Sequence, residues 1–218
     1  MSISENLHYI QSNLPENVRL IAVSKTKPVE AIQALYEAGH RDFGENRVQE
    51  LTEKQKQLPQ DIHWHLIGHL QKNKVKYIAP FIHLIHSVDN ESLLKEINKQ
   101  AKKNQRTIPC LLQIYIAEEE SKFGLNKEEA HEILLHYKEK YTHVKVVGLM
   151  GMATFTDDIS QIRSEFNYLK NLFDEFQSLD NSLQILSMGM SGDYPIAIEE
   201  GSNLVRIGSL IFGERIYP

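Results

Sequence analysis

The sequence has a single cysteine, Cys110, in 218 residues. One thiol excludes an internal disulfide and a metal centre of four thiolates. It lies in the apolar run Ile108-Pro109-Cys110-Leu111-Leu112, so it reads as buried filler rather than a nucleophile. Long hydrophobic runs are missing too: no stretch reaches the roughly 18 apolar residues that a membrane span needs. The opening residues, Met1-Ser2-Ile3-Ser4-Glu5-Asn6, are polar and hold no apolar stretch of signal-peptide length, which predicts a soluble protein of the cytoplasm. Positive charge is not in excess. The 24 Lys+Arg against 29 Asp+Glu leave a net charge of −5. That balance withholds a general attraction to nucleic acid or to an anionic membrane surface. No low-complexity segment, linker or shift in composition divides the chain.

What is present is an ordinary globular composition, 41% hydrophobic and 24% charged, with a regular pattern. Short apolar runs alternate with helical periodicity. Arg19 to Ser24, Arg41 to Phe43, Ile62 to Leu66 and Phe81 to His86 read as strands, as do Ile108 to Ile116, Val144 to Met150, Leu183 to Leu186 and Asn203 to Ile207. The helix after the first strand carries Pro28 in its first turn, Val29, Ile32 and Leu35 on one face, and Gly39 at its stop. Asn90 and Asn126 are predicted N-caps. The longest helix is predicted over Ile159 to Leu179, with Ile162, Phe166, Leu169, Phe173 and Phe176 on its buried stripe. Ile3, Leu7, Ile10 and Leu14 mark an extra helix ahead of the first strand. Such βαβα alternation means a parallel sheet, either open and doubly wound or closed. Periodicity does not choose between them; eight strands in a chain of this length predict one (β/α)8 TIM barrel spanning residues 1–218.

Active sites of such barrels form at the C-terminal ends of the strands. Ile21, Val23 and Lys25 share one face of the first strand. If that face is the interior, Lys25 rises from an apolar wall into the mouth, where a desolvated amine can attack an aldehyde; otherwise it is a solvated loop lysine. Asn46, after Phe43-Gly44-Glu45, is either a site residue or the cap of the next helix. His63 and His65 share a face at metal-like spacing, yet no HExxH and no sequence-adjacent acid accompanies them. The seventh strand runs into Ser187-Met188-Gly189-Met190-Ser191-Gly192-Asp193, and the eighth into Gly208-Ser209. Two small-residue loops at these two places suit a phosphate, or they are tight turns without a ligand. Arg206 shares a face with Leu204; pointing inward, it needs an acceptor such as a phosphate, a carboxylate or a ring nitrogen. An amine, a phosphate cradle and an arginine at one mouth fit pyridoxal 5′-phosphate.

Eight motifs in order then carry a resemblance. They are AVSKT (Ala22 to Thr26), FGENRVQE (Phe43 to Glu50), WHLIGHLQKNK (Trp64 to Lys74) and HSVD (His86 to Asp89), followed by ESKFG (Glu120 to Gly124), GLMGM (Gly148 to Met152), LSMGMSGDYPIAI (Leu186 to Ile198) and LVRIGSLIFGER (Leu204 to Arg215). Over nearly its whole length the chain resembles the YggS/PROSC family of pyridoxal-phosphate-binding homeostasis proteins, whose fold is similar to the N-terminal barrel of alanine racemase. The resemblance implies that Lys25 holds the cofactor as a Schiff base, that Ser191, Gly192, Gly208 and Ser209 bind its phosphate, and that Arg206 meets its pyridine nitrogen. Asn46 is implied to line the pocket, with His65 and Met150 as further candidates. One departure is Tyr115, where an Asn is expected.

The implied role is a reservoir or carrier that keeps a reactive aldehyde masked and passes it to cofactor-accepting apo-enzymes, with little or no turnover. An arginine at the ring nitrogen leaves the ring a weaker electron sink, but the resemblance to alanine racemase implies an arginine at this place there too, so the arginine alone does not exclude racemisation. Racemases of this barrel type add a β-rich domain and a tyrosine acid/base delivered across a dimer. This chain, ending at Pro218 just past the eighth strand, is expected to lack that domain and to be a monomer. The rival readings are a slow amino-acid racemase and, from another class, a metal hydrolase built on His63 and His65.

Overall fold

In the computed structural model, which describes residues 2–118 and 123–213, eight parallel strands close into a barrel in strict sequence order. The strands are β1 (Arg19–Val23), β2 (Asp42–Glu45), β3 (His63–Leu66), β4 (Leu84–Val88), β5 (Ile108–Gln113), β6 (Val144–Met150), β7 (Ile185–Ser187) and β8 (Leu204–Ile207). β1 pairs with β8 in the register Ile21↔Arg206, which shuts the sheet on itself. Helices α2 (Val29–Glu37), α3 (Val48–Gln57), α4 (Val75–Ile78), α5 (Glu91–Lys103), α6 (Lys127–Lys140), α7 (Ile159–Leu179) and α8 (Tyr194–Glu199) run between the strands, with a 3₁₀ turn at Lys72–Lys74 before α4. α1 (Ile3–Ser12) precedes the barrel and packs on α9 (Ser209–Phe212).

Local chemistry sets several of these ends. Asn126 and Glu129 form a reciprocal capping box at the start of α6, and the Asn90 side chain accepts from Leu93 N–H at the start of α5. Gly39 ends α2 with φ 93°, a conformation that a side chain would resist.

Alternation along each strand divides the core in two. Leu20, Ala22, Phe43, Trp64, Leu66, Ile85, Leu112, Leu186, Val205 and Ile207 pack outward with helix residues such as Ile32, Leu51, Leu94, Phe166 and Phe176 in one continuous cluster. Trp64, the only tryptophan, is 2% exposed in this layer and tilts against Phe43 at 6.1 Å between ring centroids. Cys110 belongs to the same cluster and burial pushes its thiol well up, so it stays protonated and inert. A smaller apolar cluster of Leu84, Leu111 and Met150 stands apart from it. The remaining buried strand residues include His65, His86, Ser187 and Arg206, which bond to one another across the barrel.

Only β6 has the expected bounds; β1, β3 and β8 are each one residue shorter, β7 runs Ile185–Ser187 rather than Leu183 to Leu186, and three other strands differ for a visible reason. β2 starts one residue later than expected and runs on to Glu45, because Gly44 and Glu45 pair with His65 and Leu66. β4 starts at Leu84, since Phe81 and Ile82 still donate to Ile78 at the end of α4. β5 stops at Gln113, and Ile114 makes only an isolated bridge to Leu125. Among the described residues, no helix is long and apolar enough to cross a membrane.

Candidate functional site

At the C-terminal end of the strands lies a cleft of about 420 Å³. It is lined by Lys25 beyond β1, Asn46 beyond β2, Ser191 and Gly192 beyond β7, Arg206 on β8, and Gly208 and Ser209 after it. Seven of the nine residues singled out in the sequence thus meet at one mouth.

Lys25 is half-buried between two clamped neighbours. Ser24 Oγ donates to Glu45 Oε1 at 2.6 Å, and the Ser24 carbonyl accepts from Lys54 Nζ at 2.8 Å. On the other side Thr26 has φ 64°, a left-handed conformation that a β-branched residue adopts only under constraint. Its N–H donates to Glu50 Oε1 at 2.6 Å, and Lys54 bridges Glu50 and Glu45 at 2.6 and 2.8 Å. Burial pushes the Glu45 carboxyl up to about 6, against the pull of Lys54. Its Oε2 has no hydrogen-bond partner among the described residues.

The loop after β7 is shaped by Gly189, which has φ 94°. A Cβ there would sit 2.6 Å from the Ala197 Cβ and 2.9 Å from the Tyr194 Cα. The Asp193 carboxylate accepts from Met190 N–H at 2.5 Å, and Ser191 Oγ accepts from Gly208 N–H at 3.2 Å, tying the two small-residue loops together. Among the described residues other than its two chain neighbours, none comes within 4 Å of the place a Cβ on Gly192 would take. The loop therefore leaves open space on the cleft wall, as a phosphate cradle requires.

Arg206 is 3% exposed. Its Nη1 donates to the Ser187 carbonyl at 2.9 Å and to Ser187 Oγ at 2.6 Å, and its Nη2 to the Gly151 carbonyl at 3.0 Å. Burial brings its pKa down to about 10, which leaves it charged at neutral pH. The donor set of this mouth is an amine, small-residue loops and a fixed guanidinium; it suits a phosphorylated aldehyde carrying a ring nitrogen.

Two candidates are elsewhere. Met150 is fully buried at the end of β6, in the cluster with Leu84 and Leu111; it is Met152, two residues on, that lines the cleft. His65 is fully buried on β3, with Nδ1 3.0 Å from His86 Nε2 and Nε2 3.0 Å from Asp42 Oδ1. Both of its ring nitrogens are engaged, so the metal reading on His63 and His65 loses one ligand. Among the described residues, the ligand-type atoms that gather within 4.8 Å of one another are those of Asp42, His63 and His83. They lie at the N-terminal end of the strands, and His83 there lines a separate cavity of about 410 Å³ together with Arg19.

The sequence reading left out Ile67, Met152, Phe155 and Met190 on the cleft wall, and Lys27, whose Nζ donates to the carbonyls of Phe212 and Gly213 at 3.2 Å. It also left out the Glu45, Glu50 and Lys54 clamp, although Glu45 and Glu50 stand inside the motif quoted for the resemblance. Tyr115 donates its N–H to the Leu125 carbonyl beyond β5 and does not line the cleft. Glu120 to Lys122 and Glu214 to Arg215, parts of two other motifs, lie outside the described residues.

Comparison with known proteins agrees with this geometry. Residues 1–216 match the family model of the alanine racemase N-terminal domain. A pyridoxal phosphate homeostasis protein of Aquifex aeolicus is 44% identical over 91% of this chain and 88% of its own. A human protein of the same name is 41% identical over 91% of this chain and 77% of its own. The structure of PipY from Synechococcus elongatus with PLP bound superimposes with a TM-score of 0.89 at 35% identity, covering 97% of this chain and all of that one. An alanine racemase of Clostridium difficile shares the fold, with a TM-score of 0.80 at 16% identity over 99% of this chain and 57% of its own. The chain therefore belongs to the family of pyridoxal phosphate homeostasis proteins, built on the alanine racemase N-terminal barrel.

Proposed function

We propose that the cleft binds pyridoxal 5′-phosphate and that the protein, as a monomer, stores this cofactor and hands it to apo-enzymes rather than turning over a substrate of its own. One observation carries the reading: Lys25, the Ser191–Gly192 and Gly208–Ser209 loops, and Arg206 converge on one cleft from three strands that are neighbours around the barrel. The names of the relatives and the PLP-bound PipY support it.

When bound, the cofactor supplies an aldehyde and an electron-withdrawing ring. The Lys25 amine would hold that aldehyde by condensing with it, with loss of water. Ser191, Gly192, Gly208 and Ser209 hold the phosphate, and Asn46 forms part of the wall. Arg206 is charged and only donates, so it would meet the ring nitrogen as a donor and disfavour protonation there. That weakens the ring as an electron sink. Among the described residues lining the cleft there is no tyrosine, histidine or cysteine. The other titratable lining groups are engaged elsewhere, Lys27 by the carbonyls of Phe212 and Gly213 and Asp193 by Met190 N–H, which supports a site not arranged for two-sided proton transfer.

The test is to add PLP to the purified protein, reduce with borohydride and map the adduct by mass spectrometry. The adduct is expected on Lys25, and Lys25→Ala should lose it. An adduct scattered over surface lysines would end this reading. A sustained amino-acid racemase activity, present in the wild type and absent in Lys25→Ala, would replace the carrier role by catalysis.

A further inference from the structure

Behind Arg206 runs a line of polar side chains that touches neither the cleft nor the lysine. Arg206 Nη1 donates to Ser187 Oγ at 2.6 Å. Ser187 Oγ lies 3.3 Å from His86 Nδ1, His86 Nε2 lies 3.0 Å from His65 Nδ1, and His65 Nε2 lies 3.0 Å from Asp42 Oδ1. Ser187, His86 and His65 are fully buried. The line leaves β8, passes through β7, β4 and β3, and ends on the first residue of β2. It therefore runs from the mouth to the opposite end of the barrel.

Hydrogen-bond chemistry gives this line a direction. An ionised Asp42 only accepts, so His65 carries its proton on Nε2. A neutral His65 then accepts at Nδ1, and His86 Nε2 must be the donor. A neutral His86 accepts in turn at Nδ1, which calls for the Ser187 hydroxyl proton. The lone pairs left on Ser187 Oγ face Arg206, which can only donate. Burial holds both imidazoles below their ordinary value. Burial works to raise the Asp42 carboxyl, but the hydrogen bond it accepts from His65 counters this and it stays down at about 2. Each link donates toward the carboxylate, and bonds in such a series strengthen one another.

We propose that Asp42, His65, His86 and Ser187 form a polarised chain that fixes Arg206 and sets how strongly it donates to the ring of the bound ligand. They are positioning residues, reaching the ligand only through the guanidinium. The charge of Asp42 is relayed to the arginine by polarisation from the far end of the barrel, in addition to the field of Asp193 in the cleft. The ligand part of this proposal rests on the PLP reading of the mouth; the direction of the chain does not.

Two measurements test it. In the full-length protein without ligand, nitrogen-15 NMR of the histidine side chains should find His65 and His86 neutral and protonated on Nε2 at neutral pH. An imidazolium at His65, or His86 protonated on Nδ1, overturns the proposal. In PLP titrations followed by absorbance, Ser187→Ala should weaken binding about tenfold and move the bound-cofactor band, as loss of a hydrogen bond to a charged group predicts. Ser187→Thr keeps the hydroxyl and should restore both. Asp42→Asn keeps the acceptor but not the charge; it should weaken binding about threefold and move the band in the same sense, with the trapped adduct still on Lys25. A band unmoved in both Ser187→Ala and Asp42→Asn overturns the proposal. A wild type that takes no PLP sinks the reading of the mouth, and the histidine tautomers alone then judge the chain.

Discussion

The left-handed backbone at Thr26, φ 64°, costs the fold on the order of 1–3 kcal/mol. It persists because Glu50 and Lys54 hold it. The same clamp buries Glu45, whose carboxyl titrates at about 6 in the fold against 4.5 for an ordinary glutamate. Between these values the folded chain holds more proton than the unfolded one. The contribution of Glu45 to stability therefore falls as pH rises from 4.5 to 6, by about 2 kcal/mol. Glu45→Gln removes that term. Urea unfolding of both proteins from pH 4.5 to 7 should show the variant gaining about 2 kcal/mol on the wild type across the window; parallel curves would mean that Glu45 titrates normally.

At the scale of elements, the loop between β7 and α8 depends on Gly189. Its φ of 94° and the Cβ contact of 2.6 Å to Ala197 leave no room for a methyl group. Gly189→Ala should destabilise the protein by about 2 kcal/mol and weaken PLP binding more than Lys25 trapping, since the loop carrying Ser191 and Gly192 must shift. Thermal unfolding and PLP titration check this. Sequence and structure coincide where an end is set locally: α6 by the Asn126 box, α5 by Asn90, α2 by Gly39. They part where pairing across the barrel decides, as at Glu45 and Leu84. The site divides in the same way. Lys25, Arg206 and the Gly/Ser loops were legible because strand parity and loop composition are local. Asp42, His86 and Ser187 were not, because the partners in their line stand 23, 21 and 101 residues apart in the chain.

For the whole molecule, acid should be the weak side. Burial lowers His40, His65, His83 and His86, and His83 reaches about 4. As pH falls below 6.5, the unfolded chain takes up protons that these four refuse in the fold, so stability drops through the window from 6.5 toward 4. Glu45 opposes this between 6 and 4.5, but it is one group against four. Unfolding followed from pH 7 to 4 should show a net loss of stability; a flat profile would mean that the barrel interior accepts charge.

The lone Trp64 in the outward-facing layer has a practical consequence. Its indole is sealed between the barrel wall and the helices, so tryptophan fluorescence from this protein comes from one buried position on β3. Emission will shift to the red only when wall and helices separate, whereas far-ultraviolet circular dichroism follows mainly the helices around it. If both signals change at one denaturant concentration, barrel and shell unfold as one unit; if the indole is wetted first, the shell peels away before the helices melt.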